Sequence, residues 1–142
     1  MTNRVNWWEV SFDSEHAQAV ESAIKNRCIS EGSLTREFER EVATFLGVQF
    51  VVATTSGSVA LYLALKSAGI GPGDEVIVPD LTFIAPVNAV LYVGATPVLV
   101  DIDQHTMTMN MDAAEQAVTS STRAIIPVHL YGHPADMGRV MA

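Results

Sequence analysis

The chain has 142 residues, 49% of them hydrophobic, and a formal net charge of −8. That length holds one domain with a real core, and nine glycines and six prolines are too ordinary a share for a disordered chain. The acidic balance argues against nucleic acid and anionic lipid as partners, because both are held by clustered Lys and Arg and the eight basic residues here are scattered. Cys28 is the only cysteine, so no internal disulfide is possible and a reducing compartment suits the chain. It reads as a buried or half-buried spectator, since no basic partner stands near it in sequence.

Residues 1–12 read as an extended arm. Trp7, Trp8, Val10 and Phe12 make it too apolar for a free tail, so it is expected to pack on its own domain or on a partner subunit. Asn3, Arg4, Asn6 and Glu9 interrupt any leader-like apolar run. No stretch approaches the roughly 20 apolar residues of a membrane span. The cytoplasm is the expected location, without a membrane partner.

Asp13 or Ser11 can cap a helix over about 14–26 whose apolar face is Ala17, Val20, Ala23 and Ile24. Ser33 or Thr35 starts a second helix. Its Leu34, Phe38, Val42, Phe45 and Leu46 recur three or four apart as a stripe to be buried, and Gly47 ends it. The pattern then changes to short apolar runs alternating with helices. Strands are expected at 50–53, 75–78, 97–100 and 124–128. Helices are expected over about 58–68, 83–92 and 112–118, the last with Asp112 and Glu115 as a capping box. Gly71-Pro72-Gly73-Asp74 is a turn, and a further helical stretch begins at Pro134. Short strands that are apolar on both faces and separated by helices predict an α/β fold with a mainly parallel sheet covered on both sides. The closing residues 138–142 lie inside an unfinished amphipathic pattern and read as a truncation.

Three segments can carry chemistry. Thr54-Thr55-Ser56-Gly57-Ser58-Val59 lies between a strand and a helix. A helix N-terminus presents free N–H groups to an anion, and Gly57 lets a ligand come close to the backbone. The segment is neither a P-loop nor a dinucleotide Gly-x-Gly-x-x-Gly, and an ordinary capped helix start explains the same residues. Next, Pro79-Asp80-Leu81-Thr82-Phe83-Ile84 follows a strand. Phe83 there can stack on a planar ring or simply fill the core. Last, in Val128-His129-Leu130-Tyr131-Gly132-His133-Pro134, His129 can donate a hydrogen bond to a ligand, carry a proton, or serve as a structural residue. His129 and His133 lack a third ligand at motif spacing, so no metal is expected. Asp101 and Asp103 fit a turn into Gln104-His105 better than an acid–base pair.

The ordered series Gly32-Ser33-Leu34-Thr35-Arg36-Glu37-Phe38-Glu39, Thr55-Ser56-Gly57-Ser58, Gly71 to Pro79, Thr82-Phe83-Ile84-Ala85, Gly94 to Val98, Asp101-Ile102-Asp103 and Ile125 to Gly132 resembles the DegT/DnrJ/EryC1/StrS family of sugar aminotransferases. The loop from Tyr131 to Met137 looks most like the perosamine-synthase side of that family. The resemblance implies a partial large domain of the pyridoxal-phosphate (PLP) transferase fold type I, three-layered with a mainly parallel sheet. It divides the chain into an N-terminal arm and helix, 1–31, and a truncated PLP-binding domain, 32–142. It implies the cofactor pyridoxal 5'-phosphate, its phosphate held by Gly57, Ser58 and the N–H of Val59, and its ring stacked on Phe83. Ser58 stands where the family usually has Thr, which keeps the hydroxyl.

For the full-length parent the resemblance implies amino transfer from glutamate to a nucleotide-linked keto-deoxy sugar, in polysaccharide biosynthesis and as a homodimer. The Schiff-base lysine and the aspartate that pairs with the pyridine nitrogen would follow the region covered here. Lys25 and Lys66 match no family lysine motif, so no catalytic residue is assigned and the chain alone is expected to be inactive. The rival readings are a dehydratase-like relative with histidine for lysine, a non-catalytic fragment binding phosphate or a partner chain, and an unrelated α/β binding module.

Overall fold

The computed structural model describes residues 9–142, so Trp7 and Trp8 of the expected arm lie outside the described residues. The chain falls into two compact units, parted between Ala53 and Thr54.

The first unit contains α1 (Ser14–Lys25) and α2 (Ser33–Leu46). Asp13 caps α1: its carboxylate accepts from the N–H groups of Glu15 and His16 at 2.9 and 3.1 Å. α2 starts at Ser33, one of the two expected positions, after Gly32, and Gly47 ends it in the left-handed region at φ 66°. Neither helix has a buried residue. The stripe expected to be buried on α2 is exposed at Leu34, Phe38, Phe45 and Leu46, and Val20 and Ile24 of α1 are exposed as well. Val10 and Phe12 of the arm are exposed, so these two residues do not pack into their own chain; the ring of Phe12 meets His16 edge-on. These faces are amphipathic, and nothing within the unit buries them. The strand expected at 50–53 does not form either. A strand needs a ladder partner for its N–H and C=O groups, and here only the N–H of Ala53 is taken up, by the Glu39 carboxylate at 2.8 Å.

The second unit is a three-layer sandwich. Its sheet has three strands, β1 (Glu75–Pro79), β2 (Thr96–Val100) and β3 (Thr122–Ile125), in the order β2-β1-β3 with both pairings parallel. The side-chain period of two sends Val76 and Val78 to one face and Ile77 to the other. On the first face they join Leu65, Ile70, Ala89, Val90, Val93 and Ala95, mostly from α3 (Gly57–Ser67) and α4 (Ala85–Tyr92) and the residues that follow them. On the second face Ile77 packs with Val100, Met109, Met111 and Ala114. That layer is α5 (Met111–Gln116), and Val140 of α6 (Met137–Val140) packs against it. The central strand is therefore buried on both sides, which is why it reads as one continuous apolar run.

The connections obey local chemistry. Between α3 and β1, the Asp74 carboxylate accepts from the Gly71 N–H at 2.9 Å, and Gly73 takes φ 92°, a conformation that other residues rarely adopt. The cap of α5 is Asn110, not Asp112: Asn110 Oδ1 accepts from the Ala113 N–H at 3.1 Å. Asp112 and Glu115 are instead both held by the Arg139 guanidinium at 2.7 Å, which ties α6 to α5.

Candidate cofactor site

The site lies within the second unit and begins at the N-terminus of α3. Ser56 is extended at φ −165° and caps the helix, its hydroxyl accepting from the Val59 N–H at 3.3 Å. The Thr54 hydroxyl donates to the Ser56 carbonyl at 3.0 Å, and that carbonyl also accepts from the Ala60 N–H. The first-turn N–H groups left without an acceptor among the described residues are those of Gly57 and Ser58. Sequence reasoning assigned Val59 as a backbone donor; its N–H is already engaged, and the two N–H groups just before it are the open ones. A Cβ placed on Gly57 would meet nothing within 4 Å, so the space above this backbone is clear. A phosphate fits such a turn: the helix dipole and free N–H groups favour an anion, and no side chain blocks the approach. Ser58 is half-buried and lines a cavity of about 340 Å³ with Val59, Tyr62 and Tyr92.

The second element follows β1. Pro79 is buried, and the Asp80 N–H continues the ladder to the Val100 carbonyl at 2.9 Å. The chain then turns outward. Phe83 is 75% exposed, which removes the alternative of a core phenylalanine. Beside it, the Thr82 hydroxyl is buried without a hydrogen-bond partner. A buried hydroxyl left unpaired costs about 1–3 kcal/mol. Sequence reasoning passed over Thr82, because nothing in its residue type announces burial. Phe83 is not a wall of the cavity beside Ser58. The structure presents the open helix start and the exposed ring as two features of one unit, not as a single closed pocket.

The third element follows β3. The Ile126 N–H still pairs with the Ile77 carbonyl at 2.9 Å before the chain leaves the sheet for His129. The imidazole Nδ1 of His129 accepts from the Ala135 N–H at 2.9 Å.

Other candidates fall to structural roles. Asp103 Oδ1 accepts from the N–H groups of His105 and Thr106 at 2.8 and 3.0 Å. These bonds, Thr106 first, hold its carboxyl below the usual carboxylate value, so it is a turn anchor rather than a proton carrier. Asp101 binds the N–H of Ile102. No three His, Cys, Asp or Glu side chains gather to hold a metal among the described residues. Lys25 pairs with Glu21 at 2.6 Å on α1, and Lys66 is exposed on α3. Cys28 is half-buried just past α1. No helix among the described residues is long and apolar enough to cross a membrane.

A parallel sheet sandwiched between helices places the chain in a class: it is part of the large domain of a PLP fold type I transferase. More closely, the chain belongs to the DegT/DnrJ/EryC1/StrS aminotransferase family, which matches residues 10–142. It is 57% identical over 111 residues to a UDP-N-acetyl-3-dehydro-alpha-D-glucosamine 3-aminotransferase of Acidithiobacillus ferrooxidans, covering 78% of this chain and 30% of that one. It is 46% identical over 135 residues to the GDP-perosamine synthase of Escherichia coli O157:H7, covering 94% and 37%. Its structure resembles NtdA of Bacillus subtilis, solved with bound cofactor PMP, with a TM-score of 0.83 and 33% identity over 99% of this chain and 34% of that one. The chain thus spans about a third of the length of the curated relatives it matches. The cofactor of the family is pyridoxal phosphate.

Proposed function

We propose that this chain supplies the phosphate-binding turn and the ring-stacking aromatic of a sugar aminotransferase. Its substrates are glutamate as amino donor and a nucleotide-linked keto-deoxy sugar as acceptor, a step of polysaccharide biosynthesis. The observation that carries the reading is the pair of unpaired N–H groups at Gly57 and Ser58, open to an anion. Bound there, PLP supplies an electron sink for amino-group transfer.

Each residue has a limited task. Gly57 and Ser58 hold the phosphate by backbone N–H groups, and the Ser58 hydroxyl adds a donor. Phe83 offers its face to the ring and fixes its plane. Neither Lys25 nor Lys66 stands in a loop that follows a sheet strand, so the residue that links covalently to the cofactor is not assigned to either. No catalytic residue is assigned in these 142 residues, and they are expected to bind without turning over. The exposed apolar faces of α1 and α2 support a homodimer with sites shared across its interface, and the absence of a membrane-length helix among the described residues accords with a cytoplasmic location.

Equilibrium dialysis against PLP tests the reading. Saturable binding is expected, weakened on the order of tenfold by Ser58→Ala, a loss equal to about one charge-assisted hydrogen bond. Borohydride reduction should leave Lys25 and Lys66 unmodified in the bound state. Absence of saturable binding would sink the reading; binding unaffected by Ser58→Ala would remove the hydroxyl's share of it, and reductive labelling of either lysine would overturn their exclusion.

A further inference from the structure

The loop after β3 is built around one imidazole. Tyr131 adopts φ 54°, in the left-handed region that a tyrosine rarely enters, and Gly132 follows at φ 81°. This pair of left-handed residues folds the chain back within six residues of His129. The backbone of Ala135, a buried residue, then gives its N–H to His129 Nδ1 at 2.9 Å. Backbone strain of this kind persists where the surroundings demand a fixed geometry. In neutral imidazole an accepting Nδ1 puts the proton on Nε2. His129 is nevertheless exposed, and its Nε2–H has no acceptor among the described residues.

Topology gives that donor a direction. β3 lies beside β1 and runs parallel to it, with Ile125 level with Ile77 and Ile126 still bonded to Ile77. His129 and the Thr82-Phe83 pair therefore leave the sheet at the same end, from neighbouring strands spaced about 4.8 Å apart. This edge carries three things at once: an exposed ring, a buried hydroxyl without a partner, and a donor of fixed tautomer without an acceptor.

We infer that His129 is a cofactor-positioning residue: its Nε2–H donates to an acceptor on the ring end of pyridoxal phosphate, while Nδ1 is reserved for the loop. The inference rests on the proposed cofactor reading. It gives His129 a role distinct from that of Ser58, which holds the phosphate end. The loop 129–135 then serves to keep the imidazole from rotating or taking the other tautomer.

Two isosteres separate the two nitrogens. His129→Asn places a carbonyl where Nδ1 accepts and removes the Nε2–H. His129→Gln extends an amide donor toward the Nε2 position. PLP binding is expected to weaken on the order of tenfold in His129→Asn, the loss of about one hydrogen bond, with partial recovery in His129→Gln. Inorganic phosphate binding should match that of the unaltered chain in both. In the unaltered chain, histidine-selective ¹⁵N NMR should show His129 protonated on Nε2, and that proton should shift with PLP but not with inorganic phosphate. This last readout needs no variant and so stands even if a substitution disturbs the loop. An Nε2 signal indifferent to saturating PLP, or His129→Asn binding PLP as well as the original, overturns the role of His129 while leaving the cofactor reading intact. Absence of saturable PLP binding in the unaltered chain overturns both.

Discussion

In the second unit Val76, Val78 and Val90 are fully buried, whereas in the first unit Phe38, Phe45 and Leu46 are 56%, 88% and 60% exposed. Both regions carry a clear apolar pattern, a continuous run in β1 and a period of three to four residues in α2. The difference is what covers the pattern. β1 has a strand on each side and a helical layer on each face. α2 has the helix without the cover. Periodicity therefore names the face that an element can bury, and only tertiary structure decides whether it is buried.

The contrast can be broken by substitution. Ile77→Ala removes a side chain that is 1% exposed at the junction of β1 with α5. It should destabilise the second unit by about 3 kcal/mol, the usual cost of a large-to-small change in a packed core. Phe45→Ala on α2 should cost less than about 0.5 kcal/mol. Chemical denaturation of the two variants checks the pair. Equal losses would mean that the α2 stripe is covered after all. A smaller effect is expected at Asn110→Ala, where loss of the α5 cap should cost about 1 kcal/mol in the same measurement. Asp112→Asn should leave that cap intact, since Asp112 does not make it.

The smallest effect concerns pH and belongs to the first unit. Backbone hydrogen bonding, first from His16, holds the Asp13 carboxyl below its ordinary value of 3.8. A lowered folded-state value means that the cap contributes fully above the unfolded value and is lost as pH falls through the folded one. Helicity of α1 should thus persist at pH 5 and decline only below the ordinary carboxylate range. Asp13→Asn caps without titrating at the same place and should flatten that decline in circular dichroism. An unchanged acid profile in Asp13→Asn would assign the loss to other groups.

Much of this architecture is legible in residue patterns. The run Glu75 to Pro79 announces a doubly buried strand, and the turn at Gly71–Asp74 fixes where it starts. The run Phe50 to Ala53 carries the same signal and forms no strand, because ladder pairing is a property of the partner as well as of the segment. Asp112 and Glu115 have capping-box spacing, yet Arg139, more than 20 residues later, takes both carboxylates. In the candidate site, the proposed roles of Ser58 and Phe83 come from the family resemblance, since residue type alone fits a helix cap and a core phenylalanine equally well. The engagement of Val59 is not legible either, since two serines compete for the same role and only geometry shows that Ser56 is the cap. Thr82 and the tautomer of His129 depend on loop closure, which a linear pattern does not record.

The central claim is that the open N–H groups of Gly57 and Ser58 hold the phosphate of PLP. Phosphorus NMR of PLP titrated with the chain tests it most directly, because the signal comes from the group being held. The account predicts a saturable shift of the phosphate resonance, competed by inorganic phosphate and weakened on the order of tenfold by Gly57→Pro, which removes one of the two N–H groups at the first helical position, where proline is tolerated. A phosphate resonance that does not respond, or one that responds equally with Gly57→Pro, would contradict it.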